Sequence, residues 1–297
     1  MKIVILDGRA LNPGDLSYEP LRQFGELTVY DRTDTVEEAM ARIGDNEIVL
    51  VNKLPVTEQL LSACPGIRLI CVQATGYNTV DCAACARRGI PVTNVPTYGT
   101  AAVAQFTFAL MLELCHRVGH HDALVHAGRW KTCGAFCFWD TPQMELAGKT
   151  LGIVGFGRIG QAVANIARAF GMHVLAYSRT RRPDGEALAQ YVDLDTLLAQ
   201  SDFVSLHCPL TPATAKLVGA DTLAKMKDGA ILINTSRGGL VDEAAGKRSS
   251  PCRRRGRGIR GTHHGGQSPS DRPQLHHHAP HGLGAAGKPS AASGLRH

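Results

Sequence analysis

The sequence predicts an α/β protein of two doubly wound parallel domains, followed by a tail that belongs to neither. Along residues 1–245 short apolar runs alternate with helical patterns, as parallel strands joined by crossover helices require. A chain of 297 residues, 44% apolar and 20% charged, is long enough to bury two cores. Beyond Ala245 the alternation stops.

In the first domain, residues 1–98, strands are predicted at KIVIL, LTVY, EIVLV, IRLICV and IPVTNV, the last closed by Pro96. Gly99-Thr100 then opens a long apolar helix, AAVAQFTFALMLELCHRV, which sets a boundary near residue 100 and starts a second domain, residues 99–245. There KTLGIVGFG reads as a buried strand entering a glycine turn, RIGQAVANIARAFG as a helix and HVLAYS as a second strand, together one βαβ unit. Further strands are predicted at DFVSLHC and AILINTS, separated by the helical patterns LDTLLAQ and ADTLAKM.

The net charge of +6 is not spread along the chain. Residues 246–297 hold ten Lys and Arg against one acid, +9, so residues 1–245 carry 22 basic and 25 acidic side chains, −3. That tail also has ten Gly, five Pro and seven of the thirteen His, with no aromatic, and is predicted not to order. Its RRRGRGIR and HHH runs are read as accidents of composition, with no specific nucleic-acid partner and no metal. Nine Cys without framework spacing predict reduced thiols. Cys82 and Cys85 form a C-x-x-C and Cys133 and Cys137 a near pair, but neither has the second half a zinc site needs. The N-terminus runs straight into Asp7 without a basic leader, and no stretch reaches the ~18 apolar residues of a membrane span, so a cytoplasmic location is expected.

Gly155-Phe156-Gly157-Arg158-Ile159-Gly160 fits G-x-G-x-x-G between a predicted strand and a predicted helix. In that setting the glycines allow a tight turn and close approach of a pyrophosphate to the helix N-terminus, which predicts dinucleotide binding. The end of the next strand reads Tyr177-Ser178-Arg179-Thr180-Arg181-Arg182. No carboxylate is there for the ribose hydroxyls of NAD(H), whereas Ser178 and Arg179, with the following arginines, suit a 2′-phosphate, so NADP(H) is preferred over NAD(H).

The motifs LNPGDLSYEPL, VQATGYNTVD, ELAGKTLGIVGFGRIG, HCPLTPAT and ILINTSRGGLVDEAA resemble the D-isomer-specific 2-hydroxyacid dehydrogenases from Met1 to Ala245, with NPGDLSYEPL and LTVYDRT most similar to the glycerate dehydrogenase (hydroxypyruvate reductase) branch. The resemblance implies two Rossmann-like domains, the first a flavodoxin-like substrate domain and the second binding NAD(P)H, in a homodimer built on the helix from Gly99. It implies reduction of hydroxypyruvate or glyoxylate and oxidation of D-glycerate. Carried over by residue, Gly76, with Tyr77 beside it, supplies backbone donors for the substrate carboxylate. Arg237 is the catalytic arginine, suited to grip a 2-oxo acid bidentately and polarise its carbonyl. Arg158 and Ile159 flank the pyrophosphate, Cys208, Pro209 and Thr214 the adenosine side, and Thr235 and Ser236 the nicotinamide.

The family completes its site with a Glu in a GVDV…EP motif and a His in a TPH motif, the imidazole donating a proton and the carboxylate orienting it. Neither motif occurs after Ala245. Back-translated and read one nucleotide later, however, the tail permits GVDV followed by EP, then DNPLLTAP, then TPH, in that order. The expectation is a frameshift near residue 246 that removes the Glu and the His and leaves the activity of this chain doubtful. The competing expectation is a catalytically inactive dinucleotide-binding regulatory module.

Overall fold

The computed structural model describes residues 1–12, 14–248 and 260–261. The chain divides into two compact units, one of residues 1–98 and one starting at Gly99.

The first unit is built on strands β1 (Lys2–Ile5), β2 (Glu26–Val29), β3 (Ile48–Val51), β4 (Leu69–Val72) and β5 (Val92–Thr93), all parallel, in the order β2-β1-β3-β4-β5. This is the flavodoxin-like order, whose winding reverses between β1 and β3. Helices α1 (Val36–Ile43), α2 (Glu58–Ala63) and α3 (Cys82–Arg87) start on Thr35, Thr57 and Asp81, each side chain accepting an N–H from the first turn. Their apolar residues Ala39, Ile43, Leu60, Leu61 and Cys85 cluster with Val4, Val49, Val51, Ile70 and Val72. The alternate strand residues Ile3, Ile5, Leu27 and Leu50 fill the other face. Strands buried on both faces explain why the apolar runs are nearly continuous.

The second unit opens with α4 (Thr100–His116), which ends sooner than its apolar run. Arg117 takes the left-handed conformation (φ 50°), and the chain restarts as α5 (Val118–His126) and α6 (Arg129–Thr132). The sheet comprises β6 (Thr150–Val154), β7 (His173–Tyr177), β8 (Gln190–Tyr191), β9 (Phe203–Leu206), β10 (Ile231–Asn234) and β11 (Arg260–Gly261), in the order β11-β10-β9-β6-β7-β8 and parallel throughout. Numbered within the domain this is 6-5-4-1-2-3, the Rossmann order, with its reversal between β6 and β9. Helices α7 (Arg158–Ala169), α8 (Pro183–Glu186), α9 (Leu194–Gln200), α10 (Ala220–Ala224) and α11 (Glu243–Arg248) complete the unit. On one face α4 packs on α7 through Ala104, Phe108, Val163 and Ala167; on the other, Leu197 and Leu198 meet Val204, Leu206 and Leu232.

One expectation is corrected. The strand expected over IPVTNV pairs only at Val92–Thr93, because Ile70 and Cys71 alone oppose it. Helix α11 continues past Ala245 to Arg248. Beyond that helix, Arg260 and Gly261 pair with β10 at Ile233 and Asn234. Lack of order in the rest of 246–297 lies outside the described residues. Among the described residues no single helix is long and apolar enough to cross a membrane; α4 and α5 pass that test only together and are bent by 58°.

Candidate active site

The turn from β6 into α7 uses each glycine differently. Gly155 has φ +95°, and a Cβ there would lie 2.4 Å from the Cys208 nitrogen. Gly160 lets α7 approach so closely that a Cβ would lie 2.4 Å from the Gly155 carbonyl oxygen. A Cβ on Gly157 would meet nothing within 4 Å, so that position faces open space. Gly157 is the N-cap of α7; no side chain caps the helix, and its first turn holds no acid. The free N–H groups and positive end of the helix dipole therefore remain for an anion. Beside them the buried Gln161 Nε2 has no hydrogen-bond partner. The residues present fit a dinucleotide pyrophosphate.

At the end of β7, the Gly155 N–H donates to the Tyr177 carbonyl at 2.8 Å, which ties this strand end to the glycine turn. Ser178 is half-buried and Arg179, Arg181 and Arg182 are exposed. Arg181 stacks over the Tyr191 ring at 5.7 Å, and the Arg182 N–H donates to the Tyr191 hydroxyl at 3.3 Å. The rigid aromatic thus sets the course of the arginine loop.

Across the switch point, His207 and Cys208 follow β9 and pack against Gly155. Burial pushes the Cys208 thiol up and lowers His207 to about 4, its Nε2 paired with the Ser205 hydroxyl at 2.8 Å. A neutral imidazole this hard to protonate is no proton donor near neutral pH. The Thr214 hydroxyl donates to the Pro209 carbonyl at 2.7 Å and accepts the Thr211 N–H at 2.8 Å, so it closes the loop instead of standing free.

The end of β10 is locked by Asn234, a residue sequence reasoning missed. Its buried carboxamide accepts the Ser236 N–H at 3.0 Å and donates to the Arg237 carbonyl at 2.8 Å. A carboxamide is needed because the turn presents one donor and one acceptor. Thr235 is held from α4, its hydroxyl 3.2 Å from that of the buried Thr107. The turn delivers Arg237 exposed, its guanidinium bonded only to the Ser236 carbonyl and facing no carboxylate among the described residues. Such a cation is ready for an acid brought from outside.

In the first unit, Thr75 donates to the Val95 carbonyl and Asn94 to the Thr75 carbonyl, each at 2.9 Å, fixing the loop after β4. Gly76 is half-buried and Tyr77 exposed, and no described acceptor engages either N–H.

The D-isomer-specific 2-hydroxyacid dehydrogenase NAD-binding domain family matches residues 108–246. Hydroxypyruvate reductase of Blautia hydrogenotrophica is 53% identical over 246 residues, 82% of this chain and 76% of that protein. The chain belongs to the D-isomer-specific 2-hydroxyacid dehydrogenase family. Glycerate dehydrogenase of Methylorubrum extorquens is 41% identical, with 82% and 75% covered. Among solved structures, an acyclic imino acid reductase in complex with NADPH and D-Arg superposes with a TM-score of 0.73 at 29% identity, over 84% and 80% of the chains. D-lactate dehydrogenase from Aquifex aeolicus, complexed with NAD and lactic acid, gives 0.70 at 32%, over 84% and 73%.

As a member of this family the chain is a D-2-hydroxyacid oxidoreductase with an NAD-binding domain. Within the second unit the fold gathers the predicted Gly155, Gly157, Arg158, Ile159, Gly160, Ser178, Cys208, Pro209, Thr235, Ser236 and Arg237 at the carboxyl ends of four parallel strands. Asn234 and His207 lie at the same edge, inside the motifs ILINTSRGG and HCPLTPAT, but spacing alone gave neither a role. Each is recognisable only by its hydrogen bonds.

Proposed function

We propose that the chain is a reductase of hydroxypyruvate and glyoxylate, working in reverse on D-glycerate, with NADPH preferred to NADH. The observation that carries this reading is Arg237, an unpaired guanidinium held by the Asn234 turn at the same sheet edge as the glycine turn. Thr235 and Ser236 would flank a nicotinamide at this edge, whose chemistry there would be to supply or accept a hydride. Arg237 binds the 2-oxo acid and polarises its carbonyl, stabilising the charge that develops on oxygen. The Gly76 and Tyr77 N–H groups bind the carboxylate. The α7 N-terminus receives the pyrophosphate, while Ser178 and Arg179, with no carboxylate at the end of β7, receive a 2′-phosphate.

Residues 1–98 act in this reading as the substrate domain and residues 99–245 as the nucleotide domain, in a cytoplasmic homodimer built on α4. The loss of the family's Glu and His is assigned to a frameshift after residue 245. Proton donation is worth roughly 10²–10⁴-fold, so a chain with the frame restored should reduce hydroxypyruvate faster by about that factor. The test compares NADPH and NADH oxidation by the two proteins, each with and without Arg237→Ala. Restored activity that Arg237→Ala removes supports the reading. Equal rates in both chains overturn the frameshift, and cofactor binding with no turnover in either favours the regulatory module.

A further inference from the structure

The C-x-x-C at Cys82 and Cys85 plays no part in the reading above. Asp81 caps α3 by accepting the Ala84 N–H at 2.9 Å, so Cys82 is the first helical residue and Cys85 lies one turn on. Residues spaced i, i+3 share a helix face, with Cβ atoms about 5–6 Å apart. A disulfide needs about 3.5–4.5 Å, so closing one asks a shift of only about 1–2 Å from the first turn.

The two thiols differ in access. Cys82 is half-buried, while Cys85 is fully buried in the core beneath α3. Burial, with the neighbouring Cys82 and Asp81, pushes the Cys85 thiol up. An oxidant therefore meets Cys82 first, and Cys85 waits as the resolving thiol. The near pair Cys133 and Cys137 is built otherwise, with the Cys133 thiol 3.2 Å from the Trp130 and Ala135 carbonyls.

The first turn of α3 is also bonded into the loop that carries Gly76 and Tyr77. The Val80 N–H donates to the Tyr77 carbonyl at 3.0 Å and the Cys82 N–H to the Val80 carbonyl at 2.9 Å. The Asp81 N–H donates to the Val56 carbonyl at 2.9 Å, anchoring the junction to the loop after β3. A shift of Cys82 toward Cys85 pulls on this chain of bonds.

We propose that Cys82 and Cys85 are a hydroperoxide-responsive dithiol whose closure to a disulfide remodels the loop from Thr75 to Asp81. The Cys82 thiolate attacks the peroxide O–O bond, giving sulfenic acid and, after proton uptake, water. Cys85 sulfur then attacks the Cys82 sulfur and its proton leaves with the sulfenic oxygen as a second water. The peroxide is reduced and the two thiols are oxidised; an external dithiol reverses the step by exchange. This chemistry is independent of the role given to Gly76.

The test uses the full chain, reduced, desalted and treated with hydrogen peroxide, then alkylated and mapped by mass spectrometry. A Cys82–Cys85 disulfide that dithiothreitol reverses is expected, with faster amide exchange across residues 77–82. In Cys85→Ser, Cys82 should stop at a dimedone-reactive sulfenic acid and the exchange should stay as in the reduced protein. Wild-type Cys82 ending as sulfenic or sulfinic acid, or both thiols alkylated intact while Cys133 and Cys137 oxidise, would overturn the pair. A disulfide without altered exchange would overturn the remodelling.

Discussion

The first strand of each unit is a buried parallel strand that ends in a tight turn beside the switch point, yet the two turns meet anions in opposite ways. After β1 the protein supplies its own carboxylate. Buried Asp7 accepts the Asn52 N–H at 2.9 Å and the Lys53 N–H at 2.6 Å. After β6 the chain supplies no acid, and Gly157 leaves the α7 N-terminus open. Doubly wound units therefore make one turn satisfied by its own carboxylate and one whose helix N-terminus meets no acid of its first turn. Doubly wound architecture does not by itself create a dinucleotide site; turn chemistry does.

The strongest way to break that contrast is at Gly155. An alanine there must adopt φ +95° and collide with the Cys208 backbone. A loss of about 4 kcal/mol of stability is expected, read as a drop in the urea midpoint.

Gly157→Val should act next most strongly, and only on binding. A Cβ there would meet no described atom within 4 Å, so thermal stability should hold within about 0.5 kcal/mol. Losing one or two charge-assisted hydrogen bonds of about 1.5–3 kcal/mol should raise the NADPH Kd by on the order of 100-fold. An unchanged Kd by fluorescence titration would mean that the pyrophosphate does not sit on α7.

Asp7→Asn gives the converse result. The neutral amide keeps the shape but loses the charge that collects the Asn52 and Lys53 N–H groups, at a cost of about 2 kcal/mol. Stability falls and cofactor affinity does not, if the two turns are as different as their acceptors imply.

The smallest effect is a pH dependence. Burial holds His207 at about 4, below an unfolded value of about 6.5. Between these values the unfolded chain binds a proton that the folded chain refuses, so this contribution is complete above pH ~6.5 and is lost as pH falls toward ~4. By pH ~5.5 the loss is on the order of 1 kcal/mol. His207→Gln should remove that part of the slope in urea titrations from pH 7 to 5; an unaltered slope would mean that His207 is not the group responsible.

Much of the fold was legible because its signal is local. Period, apolar runs and glycine placement mark β1, β3, β6, β9 and α7 without knowledge of neighbours. The two-residue strands β8 and β11 were not, since a strand that short exists only through its partner; of the strand predicted at IPVTNV, only Val92–Thr93 finds one. Arg117 ending α4 was equally hidden, because the apolar run continues through Val118 while the backbone turns left-handed.

Alone, the sequence determined the family, the two α/β domains and the glycine turn, for each rests on residue types at fixed spacing. The tertiary structure decided the rest: that Thr214 closes a loop, that Asn234 shapes the turn offering Arg237, and that Asp7 fills the turn after β1. These assignments depend on which donor meets which acceptor across the fold. Hydrogen bonds between residues such as Asp7 and Asn52 form only where folding brings distant segments within about 3 Å, and no spacing along the chain records that distance.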